Sequence, residues 1–451
     1  MGSDIDFFFN PKSVAVVGAS NVRGKIGFNL VEGLLESGFR GSIFPVNPKG
    51  GEVLGLRMYD SVLSLPSTPD LAVIATPARV VSSVIRECGL KGIRGAVVIS
   101  AGFSEAGNKS LEEDLLRTAR KYGVRIIGPN SAGIINTEVH FHACLEFHVP
   151  PGPVSLISQS GAVGGVLFAL AREAHIGFNK FVSCGNACDV NEIDVLEYLL
   201  SDESTKSIAF YMETLHGGKR FLEVVGRNVG KPVVVLKGGK GSAGARAAAS
   251  HTGALASPYS IYSAVFRQTH VFEVSTISSL FFASKASALL PPVSGGRVAI
   301  VTNSGGPGVV ATDLCEFFGM VVPEPSAELK ERLRRFLPSI CSLRNPLDLT
   351  AMAEYDWYYN TLRELILSGE FDLVLVICVP PSFIDPRAVA KAVVDLSSLG
   401  SGVPLLSCFL YGDVVRESVK YLEEHNIPCA SSVRDAVLGL KALTYFGSVG
   451  G

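Results

Sequence analysis

Three times along the chain a continuous apolar run gives way to a turn of small residues and then to an amphipathic stretch: VAVVGAS (14–20), VSLISQSG (154–161) and VAIVTNSGG (298–306). Apolar runs of this length predict strands buried on both faces, and the repeated strand–turn–helix order predicts parallel sheets covered by helices. Runs of the same kind at 71–75, 96–100, 208–212, 233–236, 373–379 and 404–410 alternate with longer amphipathic stretches. The fold expected is α/β, with three doubly wound parallel-sheet domains. Breaker clusters mark the joints, because Pro150-Pro151-Gly152-Pro153 and Pro291-Pro292-Val293-Ser294-Gly295-Gly296 stand just before the second and third openings. Domains are therefore expected at 1–150, 151–293 and 294–451. In such sheets ligands gather where strands end and helices begin.

Composition removes several classes of function. Across 451 residues, 40 Lys and Arg face 42 Asp and Glu, leaving a formal charge of −2 and no basic field for nucleic acid or an anionic bilayer. The start is acidic before a short Phe7-Phe8-Phe9 run, the wrong flank for an export signal. Apolar runs such as 373–379 fall far short of the roughly 18 residues a membrane span needs. Nine scattered cysteines give no disulfide framework, so a reducing, cytoplasmic setting is expected. Cys184 and Cys188 in CGNAC have neither a second pair nor a nearby histidine to complete a metal set.

In the first domain, Gly18-Ala19-Ser20 followed by Gly24 and Gly27 lets backbone amides approach a phosphate at a helix start, though the spacing is not GxGxxG. The next strand, 42–46, ends in Asn47-Pro48-Lys49, where an NAD-binding fold usually carries an acidic residue. A lysine there favours a ribose phosphate, which leaves NADP or coenzyme A. Thr76-Pro77, Ser100-Ala101-Gly102-Phe103 and Gly128-Pro129-Asn130-Ser131 line the same rim. Each turn alone reads more readily as a tight connection; the set on one domain points to a ligand.

The second domain offers chemistry. Residues 237–256 read as a long loop of small residues with His251 near its end, after the strand 233–236. A phosphoryl-carrying histidine needs a carboxylate on one ring nitrogen so that the other remains a nucleophile. Glu213, ending the strand 208–212, is the candidate, since consecutive parallel strands would open both loops on one rim. The turn Gln159-Ser160-Gly161-Ala162 supplies a helix start for a phosphate in transit. His140, His142, His148, His216 and His270 have no comparable setting.

The ordered set VAVVGAS, VNPK, VIATPA, VISAGF, IGPNSAG, SLISQSGAVGG, SCGNACDV, YMETLHGGKRF, ARAAASHTGALA, VTNSGGPGVVATD and NPLDLT resembles the α subunits of ADP-forming acyl-CoA synthetases, relatives of succinyl-CoA synthetase. SHTGALA after a Gly/Ala-rich stretch is the most specific of these. The resemblance implies a Rossmann-like coenzyme A domain followed by two flavodoxin-like domains, the last architectural and partner-binding. It implies an acid-thiol ligase that converts acyl-CoA, phosphate and ADP reversibly to acid, coenzyme A and ATP. The acid would be acetate by default. His251 would carry the phosphoryl group and Glu213 would support it, while Gln159, Ser160, Gly161 and Ala162 would hold phosphate. Coenzyme A would fall to Gly18, Ala19, Ser20, Lys25, Gly27, Asn47, Lys49, Thr76, Pro77, Ser100, Ala101, Gly102, Phe103 and Asn130, with no metal held by this chain.

No stretch reads as an ATP-grasp unit, so the resemblance implies a separate β subunit supplying ADP/ATP and Mg2+, in an α2β2 assembly. Gly238, Gly239, Gly241 and Gly244 would give the histidine segment the freedom to shuttle. Two departures stand out. CGNAC replaces a bulkier, more polar GNK-like stretch, and His216 follows the glutamate motif where Gly or Asp is usual. Alternatives are an NADP-dependent oxidoreductase, which leaves SHTGALA unexplained, and a non-catalytic coenzyme A sensor, which Glu213 together with His251 argues against.

Overall fold

The structure is a computed structural model that describes residues 5–228, 230–252, 258–398, 400 and 402–449, with 248–252 and 449 described by their backbone alone. It divides into two compact units, Met1–Ala171 with Gly177–Ile277, and Arg172–Ile176 with Ser278–Gly451.

The first unit holds two sheets. In the first, β1 (Ser13–Val17), β2 (Ser42–Val46), β3 (Leu71–Ile74), β4 (Gly95–Val98) and β5 (Arg125–Ile127) run parallel in the order β2-β1-β3-β4-β5. Every residue of β3 and β4 is buried, as continuous Val/Ile/Ala runs require when helices cover both faces.

The second sheet is formed by β6 (Gly133–Asn136), β7 (Phe141–Cys144), β8 (Pro151–Ser158), β9 (Phe178–Ser183), β10 (Ser207–Met212), β11 (Val233–Lys237) and β12 (Phe272–Val274). Its order is β12-β11-β10-β8-β9-β6-β7. This sheet is parallel from β12 to β9, as expected, and departs from that pattern at one hairpin. β6 pairs antiparallel with both β9 and β7, so a hairpin preceding Pro150 belongs to the second sheet. Gly133 permits it: a Cβ there would stand 2.2 Å from the Ala143 carbonyl oxygen. The proline cluster does not separate the sheets either, because Pro151 opens β8, and a strand's first residue is a place where a missing N–H is tolerated.

Residues 237–256, expected to form a long loop, are in large part helical. Ser242–Thr252 is an α-helix, not a loop. Five alanines between 243 and 249 outweigh Gly244, alanine being the strongest helix former.

In the second unit, β13 (Val298–Thr302), β14 (Leu347–Asp348), β15 (Leu373–Cys378), β16 (Leu405–Phe409) and β17 (Cys429–Ala430) form a parallel sheet ordered β14-β13-β15-β16-β17. The helix Ile277–Leu289 adds Phe282 and Ala286 to the core under this sheet. The chain thus changes unit at 277/278, before the Pro291-Pro292 cluster. Lys285 is buried with Glu423, Nζ to Oε1 2.6 Å. Among the described residues no helix is long and apolar enough to cross a membrane.

Candidate functional site

The rim of the first sheet is built by close backbone approach. Gly18 has φ +94°, and a Cβ on it would lie 2.4 Å from the Ala75 carbonyl oxygen at the end of β3. A Cβ on Gly27 would lie 1.9 Å from the Gly18 carbonyl oxygen, so the helix Ile26–Glu36 begins directly on the turn after β1. The Ser20 hydroxyl accepts the Val22 N–H at 3.1 Å, and Ala19 is wholly buried, leaving its backbone as its contribution. Asn47 serves as a strut: its Nδ2 donates to the Ala19 carbonyl at 2.7 Å and its Oδ1 accepts the Lys49 N–H at 3.0 Å. Lys25 and Lys49 are exposed.

At the ends of β3 and β4, the Ser100 hydroxyl donates to the Thr76 carbonyl at 2.5 Å. Pro77 precedes the helix Ala78–Lys91, and Ala101 is exposed. Thr76 Oγ1 is buried and has no hydrogen-bond partner among the described residues. An orphaned hydroxyl beside a cradle that any Cβ would fill suits a phosphate-bearing ligand approaching this rim, coenzyme A among them. Gly102, at φ +107°, donates its N–H to Glu105 at 2.5 Å. Phe103, by contrast, is wholly buried in the core of the first sheet and has only its backbone to offer. Asn130 donates its N–H to the Ser100 carbonyl at 2.9 Å and leans its amide on Asn186 at 3.4 Å.

The second sheet places β10 beside β11, parallel, with Met212 opposite Lys237. The loops after both strands therefore open on one edge. Glu213 is buried there, accepting the Tyr211 hydroxyl at 3.1 Å, while Lys237 Nζ donates to the Glu213 carbonyl at 2.7 Å. Burial lowers the Lys237 ammonium below its usual range, against the pull of Glu213. Gly238 leaves room for this contact, since a Cβ there would lie 2.9 Å from the Tyr211 hydroxyl.

Gln159 locks the neighbouring loop. Its Oε1 accepts the N–H groups of Glu213 (2.6 Å) and Thr214 (2.9 Å), and its Nε2 donates to the Thr214 carbonyl at 2.9 Å. Its side chain is thus a backbone clamp rather than a free ligand. Ser160 Oγ accepts the Val163 N–H at 3.4 Å at the head of the helix Gly161–Glu173, which begins with Gly161 and the exposed Ala162. First-turn amides of a helix lack intrahelical partners and attract anions. His251 lies in the last turn of the helix Ser242–Thr252, and its side chain is outside the described residues. That helix packs against the short turn Ser104–Ala106 that follows Phe103.

Other groups were not legible as a site. Glu105 and Glu112 both take Nδ2 of Asn186, at 2.6 and 2.7 Å. Burial opposes ionisation of Glu105, but the Asn186 amide and nearby backbone N–H groups hold it below the usual carboxylate range. His216 Nδ1 lies 3.2 Å from both oxygens of Glu192. The one hint in the sequence was that His216 closely follows Glu213. Cys184 is wholly buried, and burial pushes the thiols of Cys184 and Cys188 far up, which suits neither a thiolate ligand nor a redox centre.

Comparison with known proteins follows the same three parts. A CoA binding domain model matches residues 12–137, a succinyl-CoA ligase like flavodoxin domain model matches 151–287, and a ligase-CoA domain model matches 298–445. The chain is 40% identical over 448 residues to the acetate-CoA ligase [ADP-forming] I subunit alpha of Pyrococcus furiosus, covering 97% of each protein. It is 32% identical to the 4-hydroxybutyrate-CoA ligase [ADP-forming] of Nitrosopumilus maritimus, covering 97% of this chain and 63% of that protein. Among solved structures, the dinucleotide-forming acetyl-coenzyme A synthetase 1 of Ca. Korarchaeum cryptofilum, in complex with phosphate and ADP, superposes with a TM-score of 0.92 at 35% identity, covering 98% of this chain and 97% of the other.

Proposed function

Because this chain belongs to the family of ADP-forming acetate-CoA ligase α subunits, we propose that it performs the acyl half of a ligase forming carbon–sulfur bonds, converting acyl-CoA, phosphate and ADP to acid, coenzyme A and ATP. The observation that carries the reading is that one unit contains three parts: the glycine cradle at Gly18, the clamped loop Gln159–Glu213, and the helix bearing His251, which packs on the turn after Phe103. The cradle, Thr76 and the strand ends at Ser100 and Asn130 would hold acyl-CoA, with Lys49 on its ribose phosphate. Phosphate would sit at the head of the helix Gly161–Glu173, where Ser160 and the amides of Gly161 and Ala162 neutralise charge. Attack on the thioester gives an acyl phosphate, and His251 then takes the phosphoryl group, releasing the acid. Glu213 supports the charged imidazole and is itself oriented by Tyr211.

A separate β subunit would bring ADP/ATP and Mg2+, in an α2β2 complex in the cytoplasm, and the second unit would serve as architecture and partner surface. Acetate is the acid we propose, from the named relatives. The test is phosphorylation of the complex with ATP and Mg2+, read by peptide mass spectrometry under alkaline conditions. An acid-labile phosphoryl group on the His251 peptide, absent in His251→Ala, supports the proposal; full ATP synthesis by His251→Ala would sink it.

A further inference from the structure

One histidine in this region already has the partner that proton transfer demands, and the scheme above does not use it. Glu192, whose side chain is wholly buried at the first turn of the helix Glu192–Ser201, accepts the His216 N–H at 2.7 Å. Both its oxygens also lie 3.2 Å from His216 Nδ1. The His216 side chain is 42% exposed. A buried carboxylate on Nδ1 fixes the ring and its tautomer and leaves Nε2 as the nitrogen that exchanges protons.

Its position is specific. On one side His216 ends the loop that Gln159 clamps through Glu213 and Thr214. On the other, the Glu112 carboxylate acts on the ring, and that carboxylate accepts the Ser104 hydroxyl at 2.8 Å, next to Gly102-Phe103. The imidazole thus follows the loop held by Gln159, whose chain neighbour Ser160 is assigned to phosphate, and is within the field of a carboxylate bonded beside the turn assigned to coenzyme A. The thioester sulfur has to leave, or attack, between those two. The charged groups that act on the ring are Glu192 and Glu112, and Cys184 and Tyr262 feel the same Glu192 carboxylate.

We propose that His216, oriented by Glu192, is the proton donor and acceptor for the thiol of coenzyme A, an assignment that rests on the function proposed above. In the direction of acid release, a phosphate oxygen attacks the thioester carbonyl carbon. The C–S bond breaks with its electron pair on sulfur, sulfur takes the Nε2 proton, and the proton of the attacking hydrogen phosphate restores the imidazolium. In reverse, the imidazolium gives its Nε2 proton to the departing phosphate oxygen as the C–O bond breaks, and the freed Nε2 takes the S–H proton as sulfur bonds to the acyl carbon. The hydrogen bond to Glu192 raises the His216 pKa above the ordinary imidazole range against the effect of burial, which brings it toward a thiol's pKa of about 8.5.

The experiment uses the complete complex and two readouts. One is phosphorylation of His251 from ATP and Mg2+, which involves no thiol; the other is acetyl-CoA formation from acetyl phosphate and coenzyme A between pH 6 and 9. His216→Gln is expected to leave phosphorylation unchanged and to slow thioester formation by about 10²- to 10⁴-fold, with loss of one ionisation from the pH profile. Glu192→Gln, which keeps the shape, is expected to move that ionisation to lower pH. Thioester formation within threefold of the unsubstituted protein, an unchanged pH profile, or equal loss of both activities in His216→Gln would overturn the assignment. Failure of phosphorylation in the unsubstituted complex would instead strike the phosphohistidine reading, so the two are separable.

Discussion

Gly18 and Gly24 both adopt left-handed backbone, at φ +94° and +83°, yet their surroundings differ completely. A Cβ on Gly24 meets nothing within 4 Å, whereas on Gly18 it would stand 2.4 Å from the oxygen and 2.8 Å from the carbon of the Ala75 carbonyl. Those atoms have nowhere to go, because the Ala75 N–H is bonded to the Val17 carbonyl at 2.8 Å and extends the β1–β3 ladder. Gly24→Ala should therefore cost only the conformational term, about 1–2 kcal/mol. Gly18→Ala adds overpacking of about 1–3 kcal/mol, for a total of about 2–5 kcal/mol. The excess of at least about 1 kcal/mol corresponds, for a unit of this size, to a melting temperature at least about 2 °C below that of Gly24→Ala. Calorimetric melting of both variants, with and without coenzyme A, measures it; coenzyme A is expected to raise the melting temperature of the unsubstituted protein and not that of Gly18→Ala. A Gly18→Ala protein as stable as Gly24→Ala would refute the claim that the β1 turn is set by backbone approach to Ala75.

Two further outcomes follow from buried charge. Lys285→Met leaves Glu423 buried without its cation, and urea unfolding should show a loss of about 3–5 kcal/mol that Lys285→Met with Glu423→Leu largely restores. His142 is held at about 4 by burial and by its neighbour His148, against the bond to the Glu146 carbonyl. Between pH 4 and an unfolded value near 6.5 the unfolded chain binds this proton and the folded chain does not. This contribution is thus complete above pH 6.5 and lost as pH falls toward 4. Melting temperatures of His142→Leu should be flatter over that interval than those of the unsubstituted protein, and parallel curves would contradict the assignment.

The strands were readable because burial on both faces leaves a continuous apolar run, as in Leu373–Cys378. The rim turns were readable because close approach leaves glycine, as at Gly18 and Gly27. What escaped was whatever depends on a partner distant in sequence. The hairpin 133–144 carries no mark of its destination, since its pairing with β9 is decided by Lys180 opposite Asn136, 44 residues later. The histidine segment looks like a loop in sequence because glycines stand among its alanines, yet alanine's helix propensity prevails. Phe103 sits in a turn of small polar residues yet folds inward, a matter of packing. Gln159 and Asn47 stood at ligand-facing positions in the chain, but their amides are occupied with neighbouring backbone. The His216–Glu192 pair spans 24 residues and two elements, beyond what local spacing can convey.

The hairpin of β6 and β7 also decides how this protein can be taken apart. A chain severed at residue 150 would carry both strands away from β9, baring an unpaired edge on one fragment and leaving an unsupported hairpin on the other. Exposed edges template association, so both fragments should precipitate or pair with copies of themselves. Shuffling either of the first two sheets between relatives would have to move the crossing hairpin with the second, and a workable seam lies nearer residue 130 than the proline cluster.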